Sequence, residues 1–236
     1  DEEGSAPRLS VHVEAGAAMT RPLLQIALDK KDLPSALEPL QKAAPNIDII
    51  ECGTVLILAE GLDAVRNIRA LFPDKPILAD IRIAEAGKLL STMAFEAGAS
   101  LVSVVAGASM TTVRQVCAVA AEHGGEVQIE LADEWYDADK ARQWREAGAQ
   151  HVIVKRSRDR EAAGDLSWGV EDLNRVDELA GMGFKVTITG GITPTDLDVF
   201  AGHPVSIVIA GRSVAGAADP LAGAQELQDA ISQVWS

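Results

Sequence analysis

Asp80-Ile81-Arg82-Ile83-Ala84-Glu85 follows directly on the apolar run Pro76-Ile77-Leu78-Ala79. A buried strand should end at Ala79, and three charged side chains crowd that end. Two carboxylates and a guanidinium at the mouth of an apolar scaffold lose hydration unless they bind something, so the chemistry they point to is metal or substrate binding. The alternative is a solvated loop with an internal ion pair.

The elements that must position this cluster repeat along the chain. Runs rich in Val, Ile and Leu occur at Leu23–Leu28, Ile47–Cys52, Pro76–Ala79, Ser100–Ala106, Glu126–Leu131, His151–Val154, Phe184–Ile188 and Val205–Ala210. Amphipathic segments of helical period lie between them, among them Ala64–Phe72, Ala86–Ala97, Thr111–His123 and Asp139–Ala147, and no hairpin-type turn joins two apolar runs. Strict alternation of strand and helix implies parallel strands with crossover helices, and near-continuous apolar runs suit strands buried on both faces. Eight such units in 236 residues predict a single-domain α/β fold, the (β/α)8 TIM barrel, over residues 19–236. A doubly wound open sheet is the rival architecture, but it does not need eight equal units.

Composition narrows the partners. A formal net charge of −14 and a pI near 4.7 argue against nucleic acid or an anionic membrane, since no basic stripe is present to displace counterions from phosphates. An anionic substrate then needs its own positive pocket. Cys52 and Cys117 lack CxxC spacing and read as small core residues in a reducing cytoplasm, with neither a disulfide framework nor a zinc site. Residues 1–18 begin Asp-Glu-Glu-Gly, lack the basic start and apolar centre of a signal peptide, and read as a disordered extension. No stretch is long and apolar enough to span a membrane.

In a barrel of this kind the chemistry sits at the C-terminal ends of the strands. Those ends read Asp29 with Lys30 and Lys31, Glu51, Asp80 with Arg82 and Glu85, Gly107, Glu130, Lys155 ahead of Arg156-Ser157-Arg158, Thr189-Gly190-Gly191, and Gly211-Arg212-Ser213. At the last two, glycines allow backbone N–H groups to approach an anion, a following helix N-terminus adds its dipole, and Arg212 can clamp oxygens as a fork; phosphate is the expected occupant. Across the rim, Glu51 and Asp80 close adjacent strands and could share one magnesium ion, a hard cation that takes one or two carboxylates along with substrate oxygens and water. An ion-pair network with Lys30, Lys31 or Arg82 is the alternative.

The residues Leu24-Gln25-Ile26-Ala27-Leu28-Asp29, Ile49-Ile50-Glu51-Cys52-Gly53-Thr54, Leu78-Ala79-Asp80, Val127-Gln128-Ile129-Glu130-Leu131, Arg156-Ser157-Arg158-Asp159, Val186-Thr187-Ile188-Thr189-Gly190-Gly191 and Ala210-Gly211-Arg212-Ser213 resemble the 3-keto-L-gulonate 6-phosphate decarboxylases. The resemblance runs from about Leu23 to the C-terminus. It lies within the orotidine monophosphate decarboxylase suprafamily, in the branch that also holds hexulose 6-phosphate synthase. That branch implies a homodimer of barrels with active sites at the interface, magnesium (Mg2+) and a 1,2-enediolate intermediate. Carried over by position, Glu51 and Asp80 hold the metal, while Thr189, Gly190, Gly191, Gly211 and Arg212 belong to the phosphate site. Asp29 and Glu130 contact substrate, Arg158 helps protonate the intermediate, and Glu85 reaches in from the partner subunit.

Three positions depart from the family pattern. Its signature Asp-x-Lys-x-x-Asp is Asp80-x-Arg82-x-x-Glu85 here, and its His before Arg-Ser-Arg is Lys155. Arg82 can stabilise an enediolate by charge and paired hydrogen bonds but cannot act as an acid at neutral pH. Lys155 is the expected proton donor, with burial and Arg158 both disfavouring its ammonium; a water held by Arg158 is the other. Glu85 adds a methylene that offsets a displaced guanidinium. The three changes together read as a retuned substrate.

The expected reaction is loss of carbon dioxide from a β-keto acid sugar phosphate, leaving an enediolate that is then protonated at carbon. The segment Arg156–Trp168 is long enough for a lid or for a plain surface loop. A hexulose phosphate synthase, or another sugar phosphate aldolase or epimerase, would share the site. A sugar phosphate binding protein without chemistry is the reading from a different class, kept open by Arg82 and Lys155.

Overall fold

The apolar runs become strands where Val, Ile and Leu can bury both faces, and their inward residues set the site. In a computed structural model, which describes residues 21–131, 136–156, 164 and 168–236, they form β1 (Leu23–Leu28), β2 (Ile49–Cys52), β3 (Ile77–Ile83), β4 (Leu101–Val105), β5 (Glu126–Glu130), β6 (His151–Lys155), β7 (Lys185–Thr189) and β8 (Val205–Ala210). Neighbours pair in parallel in chain order, and β8 returns to β1 with Leu23 opposite Ile207 and Gln25 opposite Ile209, closing an eight-stranded barrel. Among the described residues the α-helices are α1 (Leu33–Ala43), α2 (Thr54–Glu60), α3 (Asp63–Leu71), α4 (Gly87–Glu96), α5 (Met110–His123), α6 (Ala138–Glu146), α7 (Val170–Gly181), α8 (Arg212–Ala215) and α9 (Pro220–Val234). The expected TIM barrel is therefore the observed fold. The segment 1–18 lies outside the described residues, as does most of Arg156–Trp168.

Side chains alternate across a strand, so each strand sends one set of residues outward to the helices and the other into the barrel. Leu24, Ile26 and Leu28 belong to the large cluster under the helices, whereas Ala27, Ile49, Leu78, Ile153 and Ile209 form a second cluster inside. Two positions beyond these inward residues come Asp29, Glu51, Asp80, Lys155 and Gly211. The rim is thus the inward face of the strands continued past the apolar floor.

Helix starts at the rim end are capped by short polar side chains. Asp32, Ser109, Asp137 and Asp219 accept from backbone N–H groups at the starts of α1, α5, α6 and α9. Among the described residues, the second and seventh connections depart from a single α-helix between strands. The second holds both α2 and α3, and the seventh is a 3-10 helix, Pro194–Phe200, in place of an α-helix. Its segment spends Gly190 and Gly191 on a turn, and Pro194 with the Thr193–Asp196 capping box starts only a short tight coil. Among the described residues no helix is long and apolar enough to cross a membrane, and both cysteines are free and buried.

The N-terminal end of the barrel carries its own buried charge. Glu126 accepts from Lys185 Nζ at 2.9 Å and contacts His151 Nε2 at 2.9 Å. Burial opposes ionisation of Glu126, but the hydrogen bonds and charges of His151 and Lys185 outweigh it and bring its pKa down to about 2. His151 is 0% exposed, and burial lowers its pKa despite the carboxylate beside it, so at neutral pH the ring is uncharged and donates to Glu126, its charge acting only once acid protonates it. Both shifts make acid destabilising. The unfolded histidine takes up protons below about 6.5 while the native one resists, and the native carboxylate stays ionised until well below 4.5. In urea unfolding against pH, wild type should exceed Glu126→Gln by on the order of 2 kcal/mol at neutral pH, after allowance for partial exposure. That difference should shrink as pH falls from 4.5 towards 2. A difference independent of pH would remove Glu126 as a source of acid lability.

Candidate active site

The inward rim residues converge on one cavity of about 400 Å³, lined by Asp29, Lys30, Glu51, Asp80, Arg82, Glu130, Lys155, Arg156, Thr189, Gly190, Gly191, Gly211 and Arg212, with apolar residues at its base. Among the described residues, every sequence-predicted site residue except Glu85 is in its lining. Glu85 is exposed, near the start of α4, and Arg158 lies outside the described residues.

The charged stretch that was expected to follow β3 is part of it. Leu78 and Ala79 pair with Leu101 and Val102, and pairing resumes only at Ile83 with Val104, so Asp80, Ile81 and Arg82 bulge from the ladder. Ser103, 0% exposed, fills the gap. Its hydroxyl accepts the Arg82 N–H at 2.9 Å and donates to Asp80 Oδ1 at 2.7 Å. Arg82 takes a left-handed backbone, φ 47°, unusual for a residue with a side chain. A serine side chain thus replaces the missing backbone partner, and the strand survives its charges.

Thr54, the first residue of α2, donates to Asp80 Oδ2 at 2.7 Å, and Gln25 Nε2 donates to Glu51 Oε2 at 2.7 Å. Both carboxylates are therefore oriented by side chains behind them. Burial, and then the charge of Asp80, raises the Glu51 pKa well above its ordinary value. A buried acidic pair that resists double ionisation is stabilised by a cation placed between its members, and two carboxylates leave room for water and substrate oxygens on a hard divalent ion. Among the described residues no group of three His, Cys, Asp or Glu could hold a metal alone. Glu51 and Asp80 therefore fit an ion shared with substrate. Gly53 keeps the neighbouring space open, since a Cβ there would lie 2.4 Å from Asp29 Oδ1.

Glu130, 7% exposed at the end of β5, is shared by two cations. Arg82 Nε lies 3.1 Å from Oε2 and 3.4 Å from Asp80 Oδ2, and Lys155 Nζ donates to Glu130 Oε1. Burial works against the Arg82 charge, but Glu130 and Asp80 outweigh it and raise its pKa. Of the expected ion-pair network the Arg82–Asp80 pair is present, and Glu130 and Lys155, expected as binding and catalytic groups, extend it. Among the described residues, the charged partner of Lys155 is the anion Glu130.

On the far side, Thr189 ends β7, Gly190 and Gly191 follow at φ 116° and 65°, and Gly211 precedes Arg212 at the start of α8. Ser213 Oγ donates to Ile192 O at 2.7 Å and ties the two loops together. α8 is a single turn and sums few peptide dipoles, so the helix dipole expected from sequence is weak here, and the groups available to an anion are backbone N–H groups and Arg212. Gln25, Thr54, Ser103 and Arg156 were not assigned roles from sequence. Gln25 and Ser103 carried a signal, being polar residues at inward positions of otherwise apolar strands.

A closed parallel barrel whose rim combines a cation-compensated acidic wall with glycine- and arginine-bearing strand ends is the setting of a (β/α)8 enzyme, and residues 22–227 place the chain in the Orotidine 5'-phosphate decarboxylase / HUMPS family. Among its relatives, the 3-keto-L-gulonate-6-phosphate decarboxylase UlaD of Escherichia coli O17:K52:H18 (strain UMN026 / ExPEC) is 46% identical over 217 residues, covering 92% of this chain and 100% of the relative. A crystal structure of KGPDC from Streptococcus mutans superposes with a TM-score of 0.89 at 35% identity, over 92% of this chain and 100% of the other. The 3-hexulose-6-phosphate synthase of Salmonella typhimurium gives 0.82 at 30% identity, over 89% and 99%.

Proposed function

We propose that this chain is a magnesium-dependent carboxy-lyase that converts a β-keto acid sugar phosphate, 3-keto-L-gulonate 6-phosphate or a close analogue, to a pentulose 5-phosphate and carbon dioxide through a 1,2-enediolate. The observation that carries the reading is the placement of the Glu51–Asp80 pair and the Gly191–Gly211–Arg212 cradle on opposite sides of one cavity. A bound magnesium ion, held by Glu51 and Asp80, supplies Lewis-acid stabilisation of substrate oxygens. The cradle takes the phosphate and sets the register of the substrate across the pocket. Arg82 supplies fixed positive charge where the enediolate develops, held in place by the buried carboxylates of Asp80 and Glu130. Lys155, or a water held by Arg158, delivers the proton to carbon. Asp29 and Glu130 contact substrate hydroxyls, and Glu130 also holds Arg82 and Lys155 in place.

Substrate conversion followed by NMR in deuterated buffer, with and without magnesium, tests the reading directly. Magnesium-dependent loss of 3-keto-L-gulonate 6-phosphate, with deuterium at C1 of xylulose 5-phosphate, is expected. Binding of an enediolate mimic without turnover of any sugar phosphate would leave a binding protein. The synthase-like neighbour motivates one second assay, since formaldehyde-dependent turnover of a pentulose phosphate would assign the synthase reaction instead.

The active unit proposed is a homodimer. Glu85 is exposed and is not in the lining of its own cavity, and Leu89 and Met93, one turn apart on α4, are 63% and 44% exposed, with Leu58 on α2 at 82%. These exposed apolar side chains support a surface on α2 and α4 that a partner chain covers. Light scattering should return twice the mass of one chain, and a monomer at assay concentration would remove Glu85 from the site.

A further inference from the structure

We propose that Arg156 is a positioning residue that aims the Gly191 N–H at the substrate phosphate, by holding the carbonyl of the peptide to which that N–H belongs. The proposal rests on the reading of Gly191, Gly211 and Arg212 as a phosphate cradle.

Arg156 directly follows β6 and is 5% exposed. A guanidinium so far from water is costly unless its donors and its faces are used. The Arg156 backbone N–H donates to Thr189 O at 3.1 Å, and Nη2 donates to Gly190 O at 2.6 Å. The guanidinium lies over the Trp168 ring, 5.6 Å from its centroid, and Phe200 braces Trp168 edge-on at 5.0 Å. Hydrogen bond and aromatic face together fix both the position and the plane of the cation. Gly190 is the counterpart to this grip. A Cβ there would stand 2.3 Å from Arg156 O and 2.7 Å from Arg156 Cβ, and its φ of 116° belongs to glycine.

The 190–191 peptide is trans, so its C=O and N–H point in opposite directions. With the Gly190 carbonyl turned to Arg156, the Gly191 N–H is turned away from it. Gly191 lines the cavity beside Gly211 and Arg212, where that N–H is a donor for an anion's oxygen. A flipped peptide would present a carbonyl oxygen to the phosphate instead, exchanging attraction for repulsion. Arg156 thus acts on the phosphate through a peptide plane, and Arg212 acts on it by its own charge.

Inorganic phosphate titrated into 15N-glycine-labelled protein reads this directly. In wild type the Gly191 and Gly211 amide resonances are expected to move together. In Arg156→Met the Gly191 response should vanish while Gly211 still responds, with the phosphate Kd raised about tenfold, the scale of one hydrogen bond. Should the methionine variant fail to fold, Arg156→Lys keeps the charge but loses the flat fork over Trp168, and the Gly191 response should fall by half or more while Gly211 retains its own. An unchanged Gly191 response in a folded variant overturns the proposal. Parallel loss at both glycines also overturns it, because it marks direct contact between Arg156 and phosphate. A wild-type protein in which neither glycine responds refutes the phosphate cradle itself, and the inference with it.

Discussion

Asp80→Asn is expected to lower kcat/KM by about 10³-fold or more, the largest single effect in the site. The amide is nearly isosteric with the carboxylate, so the bulge of β3 should persist, but its chemistry is wrong on both sides. Ser103 Oγ and Thr54 Oγ1 both donate to Asp80, one to each oxygen, and Arg82 Nε lies 3.4 Å away. Asparagine can accept at one oxygen only and turns an NH2 towards a donor. Half the negative charge facing a divalent cation disappears at the same time. Steady-state kinetics across a magnesium titration should therefore show a weakened metal response as well as a lower rate. Thermal unfolding should move little by comparison, since Glu130 continues to pair with Arg82 at 3.1 Å. Activity within tenfold of wild type would take Asp80 out of the proposed mechanism.

Lys155→Met should reduce kcat by about 10²- to 10³-fold with little change in KM, the scale of a lost general acid. Lys155 ends β6 and reaches the cavity from the wall opposite β2, with its ammonium against Glu130. Methionine keeps the length and removes the proton. Glu130 keeps Arg82 as its partner, so the change isolates proton delivery from charge stabilisation. Deuterium at C1 of the product offers a second readout. If Lys155 is the donor, its loss lets solvent reach the enediolate from either face and the label loses stereochemical purity. If a water held by Arg158 is the donor, Lys155→Met keeps both its rate and its stereochemistry, and Arg158→Met loses them.

The strands were legible because buried parallel strands leave apolar runs, and their ends were legible because a charged residue after such a run is conspicuous. Asp29, Glu51, Glu130, Lys155 and the Gly190–Gly191 and Gly211–Arg212 steps stand where the runs imply. The bulge at Asp80–Arg82 was not legible. It depends on Ser103 replacing a backbone partner across the sheet, and one serine inside an apolar run carries no mark of that task. α2 escaped for a different reason: Thr54–Glu60 is mostly apolar and lacks the clear period of α3. The one-turn α8 and the 3-10 helix before β8 follow from loop closure, which periodicity does not record. The role of Arg156 is a matter of peptide orientation, and no spacing rule reports that.

The two-residue period of the strands also governs how such a site can diversify. Glu51, Asp80, Glu130 and Lys155 face the cavity because each lies an even number of positions beyond an inward residue of its strand. Inserting one residue within β5 ahead of Glu130 would turn that carboxylate toward the helices and bring an isoleucine to the rim. Exchange of one side chain for another at the same address disturbs no frame. Lineages built on this barrel are thus steered toward point replacement at a small set of strand ends, and length variation is left to the loops beyond them.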